Sequence, residues 1–495
     1  MQTELESYNT FVYPGFSFPE THPDRLAAMA ILHGLTPGPV ERCRVLELGC
    51  NEGANLIPMA YAIPSSEFVG IDLARLPVER GQRRIRELGL TNVRIFEGDL
   101  LEVGAELGQF DYIIAHGVYA WVPDNVRDRL LALCGELLAA NGIAVVSYNT
   151  LPGGHLRKMI REMMLSYVEG IDDRLQRVSE SLAFLHFLAE SRPEGDAYRM
   201  VIEEQLRNME KRTPEATYHD EFADTYHPVL FTEFVAHAAK HGLQYLSEAV
   251  LPPPTDPCYR ADLRLALESA AGSDIVKQEQ MLDFMRARVY RETLLCREEH
   301  RVSRDFSAEQ LHKLLFASQA TSAPAEAPGA TVFTLPGGIR MESNHAGVIA
   351  LLETLGAYWP RARSFEELEP KLASQGFALD AEGVTLLLRL IVSRFVEFRT
   401  WRAPVAAEIS ARPRASACGR LESRTRTWAA TLLHGTLKLD DPVVVRFLQL
   451  LDGTLDRTEL LEQLKAEFPG VAAEDLEAGI EPGLTFLHRA GMLEA

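Results

Sequence analysis

The chain has 495 residues, a formal net charge of −20 and 46% hydrophobic residues. That length exceeds a single core, so two to four domains are expected. No apolar run approaches the ~18 residues of a membrane-spanning helix, and the acidic opening stretch lacks the apolar segment of a secretory signal. The residues from Thr331 to Ala495 include 18 basic and 22 acidic side chains, so most of the negative charge lies N-terminal to them. Such a surface repels phosphate backbones and attracts cations, which argues against a nucleic-acid partner, although plain solubility explains it as well. The cysteines at 43, 50, 134, 258, 296 and 418 show no CxxC spacing. A zinc ribbon and a disulfide framework are therefore not expected, nor is a metal centre, and the pattern suits a reducing cytoplasm.

In chain order, residues 45–53 read Val-Leu-Glu-Leu-Gly-Cys-Asn-Glu-Gly, a buried strand that enters a glycine turn and then a helix. Glu47 stands two residues before Gly49, and Gly53 follows four later. This is not the GxGxxG spacing that cradles a pyrophosphate. It suits a ligand with an amino-acid end and a nucleoside end, such as S-adenosylmethionine. Residues 67–72 form a second apolar strand ending in Asp72, placed to accept both ribose hydroxyl protons. A helix over 74–89 and a third strand over 92–96 lead to Asp99, placed to accept from an adenine amine. A fourth strand over 110–115 enters the loop His116-Gly-Val-Tyr119-Ala-Trp121-Val-Pro123. A helix from Asp124 and a fifth strand over 143–148 complete five strand–helix units, the pattern of a doubly wound parallel sheet. A competing reading makes Glu47 a polar strand end and Asp72 and Asp99 helix N-caps.

Residues 154–168, 173–191 and 195–211 carry helical apolar spacing. An all-helical insertion at this point would lie above the ligand crevice as a lid, or be a structural appendage. A helix over 231–241, a strand over 243–251, a helix over 275–288 and a strand over 293–298 follow. Residues 318–330, rich in Ala, Pro and Ser, read as a linker. Beyond it an approximate repeat of three helices predicts tandem winged-helix-like modules. Without a basic helix they point to protein contact or dimerisation rather than DNA. The arginines at 402, 412, 414, 420, 424 and 426 read as a basic connector, either a solvated loop or a contact for an acidic partner. The expected division is 1–152, 153–317, the linker 318–330, and modules at 331–402 and 421–495.

Glu47-x-Gly49-x3-Gly53, Asp72 and Gly98-Asp99 resemble the motifs of class I S-adenosylmethionine-dependent methyltransferases, an α/β Rossmann-like fold. The likeness departs at Asn51, where many members carry another glycine. The N-terminal segment Phe-Val-Tyr-Pro…Pro-Glu-Thr-His-Pro-Asp-Arg-Leu, the loop 116–123, Ser147-Tyr-Asn-Thr-Leu-Pro-Gly and residues 231–248 are similar to bacterial methyltransferases with a methyltransferase regulatory domain. Among these, the rickettsial-type protein lysine methyltransferases modify outer-membrane proteins. The resemblance implies S-adenosylmethionine as cofactor, held by Glu47, Leu48, Gly49, Cys50, Asn51, Gly53, Asp72, Leu73, Asp99, Leu100 and His116. It also implies an N-terminal segment with Tyr13, Thr21 and His22 folded over the cofactor, and a sheet made mixed by its last two strands. His116 would contact the cofactor or accept a proton. Tyr119 and Trp121 would flank a methyl-accepting amine through cation–π contacts, and Asn149, beside Tyr148, would hydrogen-bond it. The bland alternatives are a structural histidine and core aromatics under the lid. Three functions stay open: protein lysine methylation, by a monomer or a homodimer; methylation of a small metabolite or natural product; and cofactor binding without turnover as an interaction platform.

Overall fold

The computed structural model describes residues 9–251 and 261–495. Helix α1 (Pro23–Leu32) precedes β1 (Arg44–Leu48), α2 (Leu56–Ala62), β2 (Glu67–Asp72), α3 (Arg75–Glu87), β3 (Val93–Glu97), β4 (Phe110–Ala115), α4 (Asp124–Leu137) and β5 (Leu138–Asn149). Then come helices α5 (Gly154–Tyr167), α6 (Arg174–Glu190), α7 (Ala197–Met209), α8 (Pro214–Phe222) and α9 (Phe231–Ala239). Strand β6 (Leu243–Glu248), α10 (Ala261–Ala271), α11 (Ile275–Arg286) and β7 (Tyr290–Arg297) close the first part. The seven strands form one sheet in the order β3-β2-β1-β4-β5-β7-β6. Strands β1 to β5 run parallel, whereas β7 is antiparallel to both β5 and β6.

Alternation along the strands sends side chains to opposite faces. Val45, Phe68, Tyr112 and Ile114 meet Leu26, Met29, Leu56 and Ile57 on one face. Leu46, Val69, Ile113 and Val146 meet Leu130, Leu131 and Phe234 on the other. Both faces are covered, which is why the strands read as nearly continuous apolar runs. The chain leaves β1 toward β2 on one side and β4 on the other. That switch point opens a crevice at the carboxyl ends of the strands. Strand β7 starts at Tyr290, earlier than the expected 293, because Tyr290 pairs with Asn149 across the sheet. Arg291 locks this edge, buried between Glu248 (2.6 Å), Asp283 (2.8 Å) and Glu279 (3.0 Å).

Helices α5 to α8 pack around a small core of their own, including Ile160, Met164, Leu185, Ile202 and Leu206. Asp173, Asp196 and Thr213 accept from backbone N–H groups at three of their N-termini, as such residues do. Further on lie α12 (Ala308–Leu311), β8 (Leu315–Ala317), β9 (Thr321–Pro324), β10 (Thr331–Thr334), β11 (Arg340–Ser343), α13 (Ala346–Tyr358), β12 (Arg363–Ser364), α14 (Phe365–Ala373), α15 (Ala381–Val392) and β13 (Glu397–Arg399). The chain ends with α16 (Ala417–Glu422), β14 (Trp428–Ala430), β15 (Thr436–Lys438), α17 (Pro442–Leu450), α18 (Arg457–Glu467) and α19 (Ala473–Arg489). Both three-helix units are therefore present, each with a small antiparallel sheet.

One expectation fails here and another holds only in part. The stretch 318–330 is not a free linker: β9 pairs with β10 in the sheet β11-β10-β9, and Ser318 Oγ donates to the Phe395 carbonyl in the interior (2.7 Å). Its Pro324 sits on an edge strand, where proline is tolerated. Of the arginines between 402 and 426, Arg402, Arg412, Arg414 and Arg424 are exposed, as a solvated connector requires, and some of them form surface ion pairs. Arg402 pairs with Glu367, Arg412 with Glu459 and Arg414 with Glu494. Arg426 is half-buried between Glu52 and Glu422. Cys43, Cys50, Cys134, Cys296 and Cys418 are free and buried, while Cys258 lies outside the described residues. Among the described residues no helix is long and apolar enough to cross a membrane.

Candidate active site

The crevice is built where β1 ends. Gly49 takes φ +79°, and a Cβ there would sit 2.5 Å from Val118 Cγ2, so glycine is required on both counts. The N–H groups of Gly49 (2.8 Å) and Cys50 (3.0 Å) both donate to the Ile71 carbonyl, tying the turn to β2. Asn51 occupies the left-handed region at φ +49°, which asparagine tolerates better than most residues. Its backbone N–H donates to Asp72 Oδ2 (2.7 Å) and its Nδ2 to the Tyr13 carbonyl (2.9 Å). The departure from glycine thus keeps the turn and fastens the N-terminal segment to it.

Glu47 is 4% exposed. Its Oε1 accepts from Asn55 Nδ2 (2.9 Å), while Oε2 has no hydrogen-bond partner among the described residues. Burial pushes its pKa up to about 8, opposed by the Asn55 amide and helped by nearby Asp72. A buried carboxyl oxygen left unpaired is costly, and in its ionised form this atom would take a cationic donor from a ligand. Asp72 is half-buried at the end of β2. Burial pushes its pKa up, against the N–H groups of Ala74 and Asn51. Its Oδ1 accepts from Ala74 N–H (2.9 Å), which leaves each oxygen a lone pair for a ribose hydroxyl.

Asp99 closes a local turn through Leu101 N–H (2.9 Å) at the end of β3. Leu73 and Leu101 stand 44% and 42% exposed beside these two carboxylates, an apolar rim suited to a purine. Leu48 is buried, and Leu100 packs on the sheet core. The Cys50 thiol is pushed up by burial and is inert packing.

His116 ends β4. Its ring stacks on Phe18 at 3.9 Å, and its Nε2 lies 3.0 Å from the Tyr290 hydroxyl and 3.3 Å from Glu292 Oε1. Burial, then Glu292, pushes the Tyr290 phenol up, so it stays a neutral hydroxyl. The neighbouring Gly117 N–H donates to Ser147 Oγ (2.7 Å). Phe18, Tyr290, Glu292 and Asn55 were not singled out from sequence. Tyr290 and Glu292 reach the crevice only because β7 runs antiparallel, so that its start lies at the carboxyl end of β5. Phe18 lies in the N-terminal segment that carries the family likeness, the one signal that pointed toward it.

Other expected residues divide between the core and the N-terminal segment beside the turn. Tyr119 is buried against Tyr148 and Phe234, and its hydroxyl bonds His237 Nδ1 (2.8 Å). It is a core aromatic, not the wall of an amine site. His237 and His241 in turn both bond Asp128 Oδ1 at 3.0 Å, which holds α9 to α4. Trp121 does meet cations, but they are the protein's own: the Arg157 and Arg161 guanidinium carbons lie 5.1 and 5.4 Å from its ring centre. Asn149 is buried, its amide directed at the Val289 carbonyl (3.4 Å), and Tyr148 bonds Thr293 in the core. Asn149 pairs with Tyr290 at the carboxyl end of β5, whereas Tyr148 points to the opposite face of the sheet. Thr21 accepts from Asn55 Nδ2 (2.9 Å) behind Glu47. His22 Nδ1 accepts from Asp24 N–H to cap α1 (3.2 Å), and its ring lies against Trp401 and His434. Tyr13 is held by Asp220, and burial together with that carboxylate pushes its phenol up.

Three family models match the chain. A methyltransferase domain covers residues 45–142, a predicted methyltransferase regulatory domain 213–297, and the PKMT C-terminal winged helix domain 411–475. An uncharacterized protein of Rickettsia prowazekii is 32% identical over 246 residues, which are 50% of this chain and 98% of that protein. The chain belongs to the S-adenosylmethionine-dependent methyltransferases. A second protein of Rickettsia prowazekii is 33% identical over 309 residues, 62% of this chain and 55% of its own length, so the methyltransferase spans about half of that relative. In fold, the methyltransferase is similar to PKMT2 from Rickettsia typhi in complex with AdoHcy. That likeness has a TM-score of 0.89 at 23% identity and covers 97% of this chain and 99% of the other.

The cofactor of this methyltransferase is S-adenosylmethionine, and the crevice fits it. The unpaired Glu47 Oε2 suits the amino group, the open lone pairs of Asp72 suit the ribose, and the Leu73 rim with Asp99 suits the adenine.

Proposed function

We propose that this methyltransferase is a protein lysine N-methyltransferase that transfers the methyl group in line to a desolvated amine. The observation that carries this reading is the cluster of Phe18, His116, Tyr290 and Glu292 beside the cofactor crevice. Aromatic faces and a half-buried carboxylate attract an ammonium. S-adenosylmethionine supplies an electrophilic methyl group on a positive sulfur and leaves as a neutral molecule. The chain must therefore align the acceptor at near-attack distance and let it lose a proton. For a lysine of reference pKa about 10.4, that loss costs about 4.6 kcal/mol at pH 7. Desolvation between Phe18 and Tyr290 lowers that cost, and His116, backed by Glu292, is placed to receive the proton. Trp121, clamped by Arg157 and Arg161 of α5, keeps the helical insertion docked as a lid.

The reading includes an acceptor lysine on a protein, an outer-membrane protein being the class that the family likeness implies. It also includes a cytoplasmic setting and the division into a core (1–152), a region completing the sheet (153–317) and two C-terminal modules (331–402 and 421–495). A homodimer is part of it too. Leu175, Phe187 and Met200 are apolar side chains exposed on α6 and α7, available for contact with another protein surface. Incubation with methyl-labelled cofactor and whole-cell lysate tests the acceptor. Label on protein bands, at lysine by mass spectrometry, is expected. Label confined to small molecules would refute the proposal.

A further inference from the structure

The hairpin of β14 and β15 is the wing of the C-terminal module, and its tip reaches Asn55 at the start of α2, just past the glycine turn. Thr431 N–H donates to the Gly435 carbonyl (2.8 Å) and Gly435 N–H to Thr431 Oγ1 (3.0 Å), which closes the tip. The wing is seated on the N-terminal segment. Trp428 packs on Phe16 with ring centres 5.2 Å apart, Ala54 joins Trp428 and Ala430, and Ser17 Oγ bonds Thr436 Oγ1 (2.9 Å). At the tip His434 adopts φ +62°, a conformation rare for residues other than glycine. It is buried, with Nε2 2.8 Å from Asn55 Oδ1. Asn55 is the residue that donates to Glu47.

The partners of Asn55 fix its orientation. Oδ1 accepts from the backbone N–H of Phe18 (3.0 Å), a group that only donates. Nδ2 therefore faces Thr21 and Glu47. His434, bonded to the same oxygen, must donate through Nε2–H, which its neutral form can do. Burial pushes its pKa down to about 3, so it is neutral at physiological pH.

We infer that His434 is a positioning residue for the cofactor: from the tip of the wing it holds the Asn55 amide, which pins one oxygen of Glu47 and leaves the other for the cofactor's amino group. The C-terminal module is then a structural part of the cofactor site, contributed from 379 positions away in sequence. This rests on Glu47 meeting the amino end of S-adenosylmethionine.

The test is calorimetric binding of S-adenosylhomocysteine to the full chain. H434N keeps a residue that tolerates the left-handed backbone but is too short to reach Asn55. It is expected to weaken binding about tenfold, the scale of one lost buried hydrogen bond. H434Q, which brings an amide nitrogen to the position of Nε2, should stay within about threefold of the wild type. Y61F serves as control. Tyr61 bonds Glu494 and Ala417 N–H at the same interface without touching Asn55, and this variant should bind normally. H434M, of similar bulk and with no donor, replaces H434N should the latter not fold, with the same loss expected. Wild-type affinity in H434N or H434M would overturn the inference. So would an equal loss in Y61F, which would assign the effect to docking of the module. A wild-type chain that binds no S-adenosylhomocysteine would instead overturn the reading of the crevice itself.

Discussion

We propose that two carboxylates, Glu47 and Asp72, decide how the crevice takes its ligand. Asp72 holds both the glycine turn and the start of α3 by backbone hydrogen bonds. Asp72→Ala should weaken S-adenosylhomocysteine binding by about 2 kcal/mol, close to thirtyfold; unchanged affinity by calorimetry would remove Asp72 from the site. Glu47 gives a pH signature. Its pKa in the folded, unliganded chain is pushed up to about 8 by burial, above its ordinary unfolded value. Its contribution to stability is therefore fully present below the unfolded value and is lost as pH rises through about 8. A cofactor ammonium needs the ionised form, so affinity should rise between about pH 6 and 8 and then level off. Glu47→Gln should flatten that rise, and calorimetry across the range reads both outcomes. The strand-end positions of both carboxylates were legible in the sequence because each closes a short apolar strand. The partners of Glu47 were not, since Asn55 looks like any polar residue opening a helix.

At the level of elements, the turn after β1 and the docking of α5 carry separate duties. Gly49→Ala forces a methyl group onto Val118 at an unfavourable φ. A loss of about 1–3 kcal/mol in stability is expected, read as an earlier transition in denaturant melts. Trp121 should behave differently. Trp121→Ala removes the ring that Arg157 and Arg161 clamp, and it should reduce methyl transfer far more than cofactor affinity. Equal losses of both would place Trp121 in the cofactor pocket. Alternating Tyr119 and Trp121 read in sequence as a matched pair flanking an amine. A short 3-10 turn over Tyr119–Trp121 sends one into the core and the other against the insertion. Local spacing cannot foretell that division, because the helices that receive each ring come from distant parts of the chain.

Over the whole molecule, the C-terminal module is docked on the cofactor-binding core by buried charge. Glu422 is 2% exposed and lies 2.5 Å from Arg84 and 3.5 Å from Arg426, which also reaches Glu52. Its backbone contact is Ala430 N–H (2.7 Å). Glu422→Ala would leave two guanidinium groups short of their partner at a cost of about 3–5 kcal/mol. Scanning calorimetry should show the module melting ahead of the sheet; a single unshifted transition would show the cluster to be dispensable. The sequence by itself determined the sheet, the glycine turn, the acids that close its strands and the two helical repeats. These are written in local periodicity and in residues whose backbone demands are their own. Only the tertiary structure decided what lines the crevice and what holds it in place. Tyr290 and Glu292 arrive on an antiparallel strand, Phe18 on an N-terminal strap, and His434 on a wing from the far end of the chain. Their role depends on long-range pairing and burial, which no local pattern encodes.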